Sequence, residues 1–274
     1  MLRALDARLF ALVAGCLPSQ AVEVGEALIE AADRAGDIHL ASRGRINTAS
    51  SLNYLGQYDA AQKLLDRALP DVRSFRLRIL EASCLQNMGM AYARRGSLDH
   101  AIELQREAAR IADECGSARL GINCRVYEAT MLVWRGEPGD LRHAHALVEH
   151  VLDATKAHIG LQVIALFTKA RVQLTRRQVD EAVEAAREAY RRLHEGPVEE
   201  WDEHIRLCLV ESLLAKREDT EADQVLRTTF AVIRQRIAQI DRPAYRASFV
   251  ARNDEVRVLL DLAQERLGLT PTFE

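Results

Sequence analysis

An alanine returns about every 40 residues along this chain. The anchors are Ala21, Ala61, Ala101, Ala144, Ala182 and Ala222, spaced 40, 40, 43, 38 and 40 residues apart. A fixed period of this length marks a stacked-repeat architecture, in which each unit buries its apolar face against its neighbours. Such a fold has no single core, so the usual size limit on one domain does not bind it. It also narrows the function, because stacked repeats present long surfaces to partners.

The residue types agree with helices. Ala, Leu, Arg and Glu dominate, aromatics make up only 5%, and β-branched runs are scarce. The formal net charge of −3 gives no global pull toward nucleic acid or an anionic membrane. No apolar run approaches the roughly 20 residues that span a bilayer. Five scattered cysteines without a CxxC read as buried free thiols in a reducing, cytoplasmic setting.

The second and third units define the repeat best. Ser42 to Arg73 contains Asn47, Ala49, Leu52, Gly56, Tyr58, Ala61, Leu65 and Ala68. Ala82 to Asp113 contains Asn87, Gly89, Tyr92, Gly96, Leu98, Ala101, Gln105 and Ala108, in register without a gap. Small residues recur where two helices must approach closely, and larger apolar ones fill the space between. Gly56 and Gly96 end the first helix, since glycine accepts the left-handed conformation. Asp59 and Asp99 then meet the positive end of the second helix. The fourth unit carries a three-residue insertion around Glu137-Pro138-Gly139, and the fifth has Arg177 at the glycine position. A second echo spans two periods: Ala32-Asp33-Arg34-Ala35-Gly36 matches Ala112-Asp113-Glu114-Cys115-Gly116, and Arg45 matches Arg125.

This pattern resembles the tetratricopeptide repeat, most closely at Asn87-Met88-Gly89, Tyr92, Gly96, Ala101 and Ala108. The resemblance covers about residues 1–240. It implies an all-α, right-handed superhelical solenoid of about six helix pairs. Because the period exceeds the usual repeat length, either the helices or the loops must be longer. Helix pairs are expected near 1–15/18–35, 38–55/58–72, 76–95/98–115, 118–135/140–157, 160–176/179–194 and 201–217/219–240. Within 241–274, Val256, Leu259, Leu260, Ala263 and Leu267 form a helical apolar stripe, so Pro243 to Leu267 is expected as one capping helix. Val13-Ala14-Gly15-Cys16 is similar to a lipoprotein cleavage site, but Asp6 interrupts the leader and the segment also fits a first helix.

Nothing in the sequence points to catalysis. Phosphate-loop, GxSxG, HExxH, calcium-loop and kinase motifs are absent. His143, His145 and His150, and the pair His204 and Cys208, read as structural residues rather than metal ligands. No cofactor is expected. Glu199 to Glu203 reads as dipole complementation, Trp134 and Trp201 as packing residues, and the arginines between 171 and 192 as a solvated helix face.

In tetratricopeptide arrays the first helix of each pair lines the concave groove. The resemblance therefore implies partner contacts at Arg43, Asn47, Ser50, Asn53 and Tyr54. The third unit adds Gln86, Asn87, Met90 and Arg94, the fourth Asn123, Tyr127 and Thr130, and the fifth Arg171. Asn47 and Asn87 stand out as equivalents, because an amide both donates to and accepts from a peptide backbone. Ile164, Phe167, Leu207 and Leu214 suggest a contrasting apolar half, either a dry groove or a surface for a second copy. Long degenerate repeats of this kind are similar to those in bacterial signalling ATPases, serine/threonine kinases and peptide-sensing regulators. The expected role is a non-enzymatic, regulatory protein- or peptide-binding scaffold. A ligand-sensing module of a larger regulator and a self-assembly domain are the alternatives.

Overall fold

The structure is a computed structural model that describes residues 1–154, 159–193 and 201–270. Those residues form fourteen α-helices and no strand. Six pairs follow the expected order: α1 (Leu2–Ala14) with α2 (Pro18–Ala35), α3 (Ile38–Tyr54) with α4 (Tyr58–Ser74), and α5 (Arg78–Arg94) with α6 (Leu98–Glu114). Then come α7 (Ala118–Arg135) with α8 (Asp140–Ala154), α9 (Ile159–Thr175) with α10 (Val179–Arg192), and α11 (Asp202–Lys216) with α12 (Asp219–Ala238). The ends expected at 157 and 194 lie outside the described residues. The chain folds as two compact units, Met1–His143 and Ala144–Glu274.

The anchor alanine is the first residue of a buried stripe at i, i+4, i+7 and i+11, which is one helix face. In α4 the stripe is Ala61, Leu65, Ala68 and Val72; in α6 it is Ala101, Gln105, Ala108 and Ala112; in α12 it is Ala222, Leu226, Thr229 and Ile233. The even-numbered helices keep their opposite face in solvent. The inner odd-numbered ones, such as α3, α5 and α7, lie between two neighbours and are buried nearly all round: from Glu81 to Ala91 only Ser83 is not buried.

The extra length of the repeat lies in the helices. Turns within and between pairs are three residues long at Leu55–Gln57, Phe75–Leu77, Arg95–Ser97 and Cys115–Ser117. Each holds a left-handed residue closed by the same two bonds, for example Gly96 N–H to Ala93 and Ser97 N–H to Tyr92. The left-handed residues of the first unit are Cys16, Gly36, Gly56, Arg76, Gly96, Gly116 and Gly136, one every 20 residues, with Gly139 added in the insertion. Thus the 40-residue period is two equal half-periods. The sequence hides the half-period because Cys16 and Arg76 fill two of its glycine positions. Cys16 is therefore part of an inter-helix turn. Arg177 and Arg217 also adopt the left-handed conformation, at φ 62 and 65.

The two-period echo has an electrostatic cause. Arg45 donates to Asp33 at 2.6 and 2.8 Å, and Arg125 pairs with Asp113 in the same way. Another ladder repeats with 36-residue separation. Arg95 meets Asp59 at 3.5 Å, Arg135 meets Asp99 at 2.6 Å, and Lys216 meets Asp180 at 3.1 Å. Each joins the end of an odd helix to the start of the preceding even one. The insertion is held by Arg135, which donates to both oxygens of Asp140 at 2.8 and 2.9 Å.

The C-terminal segment differs from the single helix expected. It forms α13 (Pro243–Arg252) and α14 (Asp254–Leu267), broken at Asn253, whose backbone is extended at φ −90 and ψ 104. Here α14 buries the expected stripe of Val256, Leu259, Leu260 and Ala263 and packs on α11 and α12. It thus occupies the place of the first helix of a next repeat.

Candidate functional site

In the first unit, successive odd helices touch: α1 with α3, α3 with α5, α5 with α7. The even helices α2, α4 and α6 approach one another less closely. The odd-helix face is therefore the inside of this unit's bend. The left-handed residues at 16, 56, 96 and 136 put α1, α3, α5 and α7 in one register. Residues i, i+4, i+7 and i+11 of each helix share a face, which yields four rows across the four helices. They are Arg3/Arg43/Ser83/Asn123, Ala7/Asn47/Asn87/Tyr127, Phe10/Ser50/Met90/Thr130 and Ala14/Tyr54/Arg94/Trp134.

Contacts between neighbouring helices tie the face together. Arg43 reaches back from α3 to Asp6 of α1 at 3.2 Å. Asn53 Nδ2 donates to the Asn87 carbonyl at 3.1 Å. The Arg94 guanidinium stands 4.8 Å from the centre of the Trp134 ring, a distance at which the ring quadrupole attracts the cation.

The expected contact residues divide by burial. Arg43, Asn47, Ser50, Tyr54, Arg94 and Asn123 are half-buried and line the face. Asn53, Gln86, Asn87, Met90, Tyr127 and Thr130 are buried and form its wall. The equivalent asparagines part company. Asn87 Nδ2 donates to the Ser83 carbonyl of its own helix at 2.9 Å. The Asn47 side chain makes no hydrogen bond among the described residues, and neither do those of Ser50 and Asn123. Gln86 lends its backbone carbonyl to Gln105 Nε2 at 2.9 Å.

Arg171 lies in the second unit and pairs with Glu211 across α9 and α11. The neighbouring arginines carry surface ion pairs: Arg187 pairs with Glu218 and Glu221, and Arg191 and Arg192 with Glu188, while Arg176 and Arg177 are exposed. Three of the residues expected to form an apolar half-groove, Ile164, Phe167 and Leu207, are buried inside the unit, and Leu214 is half-buried. Phe167 packs on Trp201 and His204, each at 5.8 Å. Asp202 and Glu203 do more than complement a helix dipole. They are buried and pair with Arg236 of α12, while Arg206 donates to Asp202 at 2.5 Å. His204 meets Glu255 of α14 at 2.9 Å. Glu199 and Glu200 lie outside the described residues. Among the described residues no cluster of His, Cys, Asp or Glu could hold a metal ion, and no helix is long and apolar enough to cross a membrane.

Two members of the inner face were not among the expected contacts, and one of them, Trp134, reads from the sequence as a packing residue. Phe10 is 59% exposed on α1, and Trp134 carries the Arg94 stack. The signal for both was the register: Phe10 lies 40 residues before Ser50, and Trp134 lies 40 after Arg94.

Residues 37–114 match the family model described as tetratricopeptide repeat. No curated protein matches the chain. Among solved structures, NprR in complex with its cognate peptide NprX aligns with a TM-score of 0.65 at 13% identity, over 89% of this chain and 68% of that one. A Rap protein complexed with Competence and Sporulation Factor aligns with a TM-score of 0.66 at 14% identity, over 94% of this chain and 75% of that one. At these identities the likeness is one of fold.

Proposed function

We propose that this tetratricopeptide-repeat protein is a regulatory receptor for a peptide, held in extended form along the odd-helix face of the first unit. The observation that carries this reading is the half-buried trio Asn47, Ser50 and Asn123, polar side chains with no hydrogen-bond partner among the described residues. Half-buried polar groups seek partners from water or a ligand, and a peptide backbone offers donors and acceptors in alternation. Four odd helices leave three gaps of roughly 10 Å, a span that an extended peptide of about nine residues covers. The complex of NprR with a cognate peptide supports such a use of the fold. Arg43, Tyr54 and Arg94 flank the trio and would meet peptide side chains. Asn53, Gln86, Asn87, Met90 and Tyr127 would shape the wall beneath. In this reading the response would fall on an attached or separate effector.

Selection from a random nonapeptide library tests this directly. Asn47→Ala is expected to weaken the selected peptides on the order of 30-fold, the loss of two hydrogen bonds of about 1 kcal/mol each. Asn87→Ala, whose donor is already bound to Ser83, should cost less. No selected peptide, or an unchanged affinity in Asn47→Ala, would overturn the reading.

A further inference from the structure

We infer that the ligand of this face is an acidic peptide carrying one large apolar side chain, which seats on Phe10. This inference rests on the peptide-receptor reading and specifies its ligand. Of the sixteen positions on the face, three are arginine and none is acidic, in a chain whose formal net charge is −3. The arginines sit at its margins, with Arg3 and Arg43 in the first row and Arg94 in the last. Asp6 neutralises Arg43, whereas Arg3 is exposed and has no ion pair among the described residues. The face thus attracts anions although the chain as a whole does not.

Phe10 shares a row with Ser50 and Met90 and is 59% exposed. Gly44 and Thr48 of α3 face the preceding helix α2, against Ile29 and Gly25. Their equivalents on α1 are Ala4 and Arg8, so Phe10 lies on a different side of α1 from that packing face. Arg3 and Phe10 are two helical turns apart, about 10 Å. A peptide backbone that crosses α1 between them can reach both with neighbouring residues, whose side chains point to opposite sides.

Fluorescence anisotropy with four labelled nonapeptide pools separates the outcomes: acidic with one Phe, acidic with Ala in its place, lysine-rich with Phe, and uncharged with Phe. The acidic Phe pool is expected to bind tightest, about tenfold over the acidic Ala pool, and to weaken with salt. Phe10→Ala should erase the difference between the two acidic pools, and Arg3→Glu should weaken only those two. Circular dichroism checks that both variants, at exposed positions, keep the fold. Equal binding of the acidic pools to wild type, or a Phe preference that survives in Phe10→Ala, overturns the inference. If all pools bind alike and Asn47→Ala weakens each, the receptor reading stands and this one falls. If no pool binds, both fall.

Discussion

Gly25 lies in the middle of α2, where alanine ordinarily stabilises a helix by about 1 kcal/mol. Here the sign should reverse. A Cβ on Gly25 would stand 1.9 Å from Thr48 Oγ1 and 3.1 Å from Thr48 Cβ. Thr48 is fully buried and β-branched, and its hydroxyl donates to the Gly44 carbonyl at 2.7 Å. Turning it away gives up that bond, about 1 kcal/mol. Parting α2 from α3 instead costs the usual overpacking penalty of about 1–3 kcal/mol. Set against the propensity gain, Gly25→Ala should destabilise by up to about 2 kcal/mol. Because stacked repeats can open piecewise, the assay is hydrogen exchange of the α2 and α3 amides alongside urea melts followed by circular dichroism. The double variant Gly25→Ala/Thr48→Ala should recover much of the loss. A single variant as stable as wild type would refute the close-contact account of these small residues.

Other outcomes follow from the same geometry. Arg177→Gly and Arg217→Gly, at left-handed positions, should each raise stability by about 0.5–1 kcal/mol in urea melts, steric relief offset partly by glycine entropy. Arg236→Ala removes the ion pairs that tie the buried Asp202 and Glu203 to α12, while Arg206 still holds Asp202, and should cost about 3 kcal/mol, with α11 exchange rising most. Glu188 has its pKa lowered from 4.5 to about 2, chiefly by hydrogen bonds from Arg191 and then Arg192. A depressed folded-state pKa contributes stability above the unfolded value that is lost as pH falls from about 4.5 to 2. Glu188→Gln should therefore flatten that acid limb in a melt-against-pH series. Burial pushes the Cys84, Cys124 and Cys208 thiols up to about 12. In the native protein a thiol reagent at mildly alkaline pH should modify the exposed Cys115 well before these three, which react only on unfolding.

The repeat, the helix pairs and the turn glycines were legible because each is a local property. An apolar stripe of period 3.6 and a glycine after the last turn need no distant partner to be read. The insertion at Glu137–Gly139 and the equivalence of Asn47 with Asn87 came from the same register. The half-period escaped notice at Cys16 and Arg76. There the backbone takes the left-handed conformation that its neighbours in the stack demand, whatever residue stands at the turn.

The alanine period by itself determined the all-α repeat, the pairing of helices and the register of the inner face, since spacing along a helix sets which residues share a side. Only the tertiary structure decided which of those residues can be reached. It bound the Asn87 amide to Ser83 while leaving Asn47 without a partner among the described residues. It buried Ile164, Phe167 and Leu207 inside the second unit, and it set α14 against α11 and α12. It also left Phe10 open on a face where Asn87, Met90, Tyr127 and Thr130 are buried. Reach depends on what covers a side chain, and the covering helix lies tens of residues away along the chain, beyond what any local pattern records.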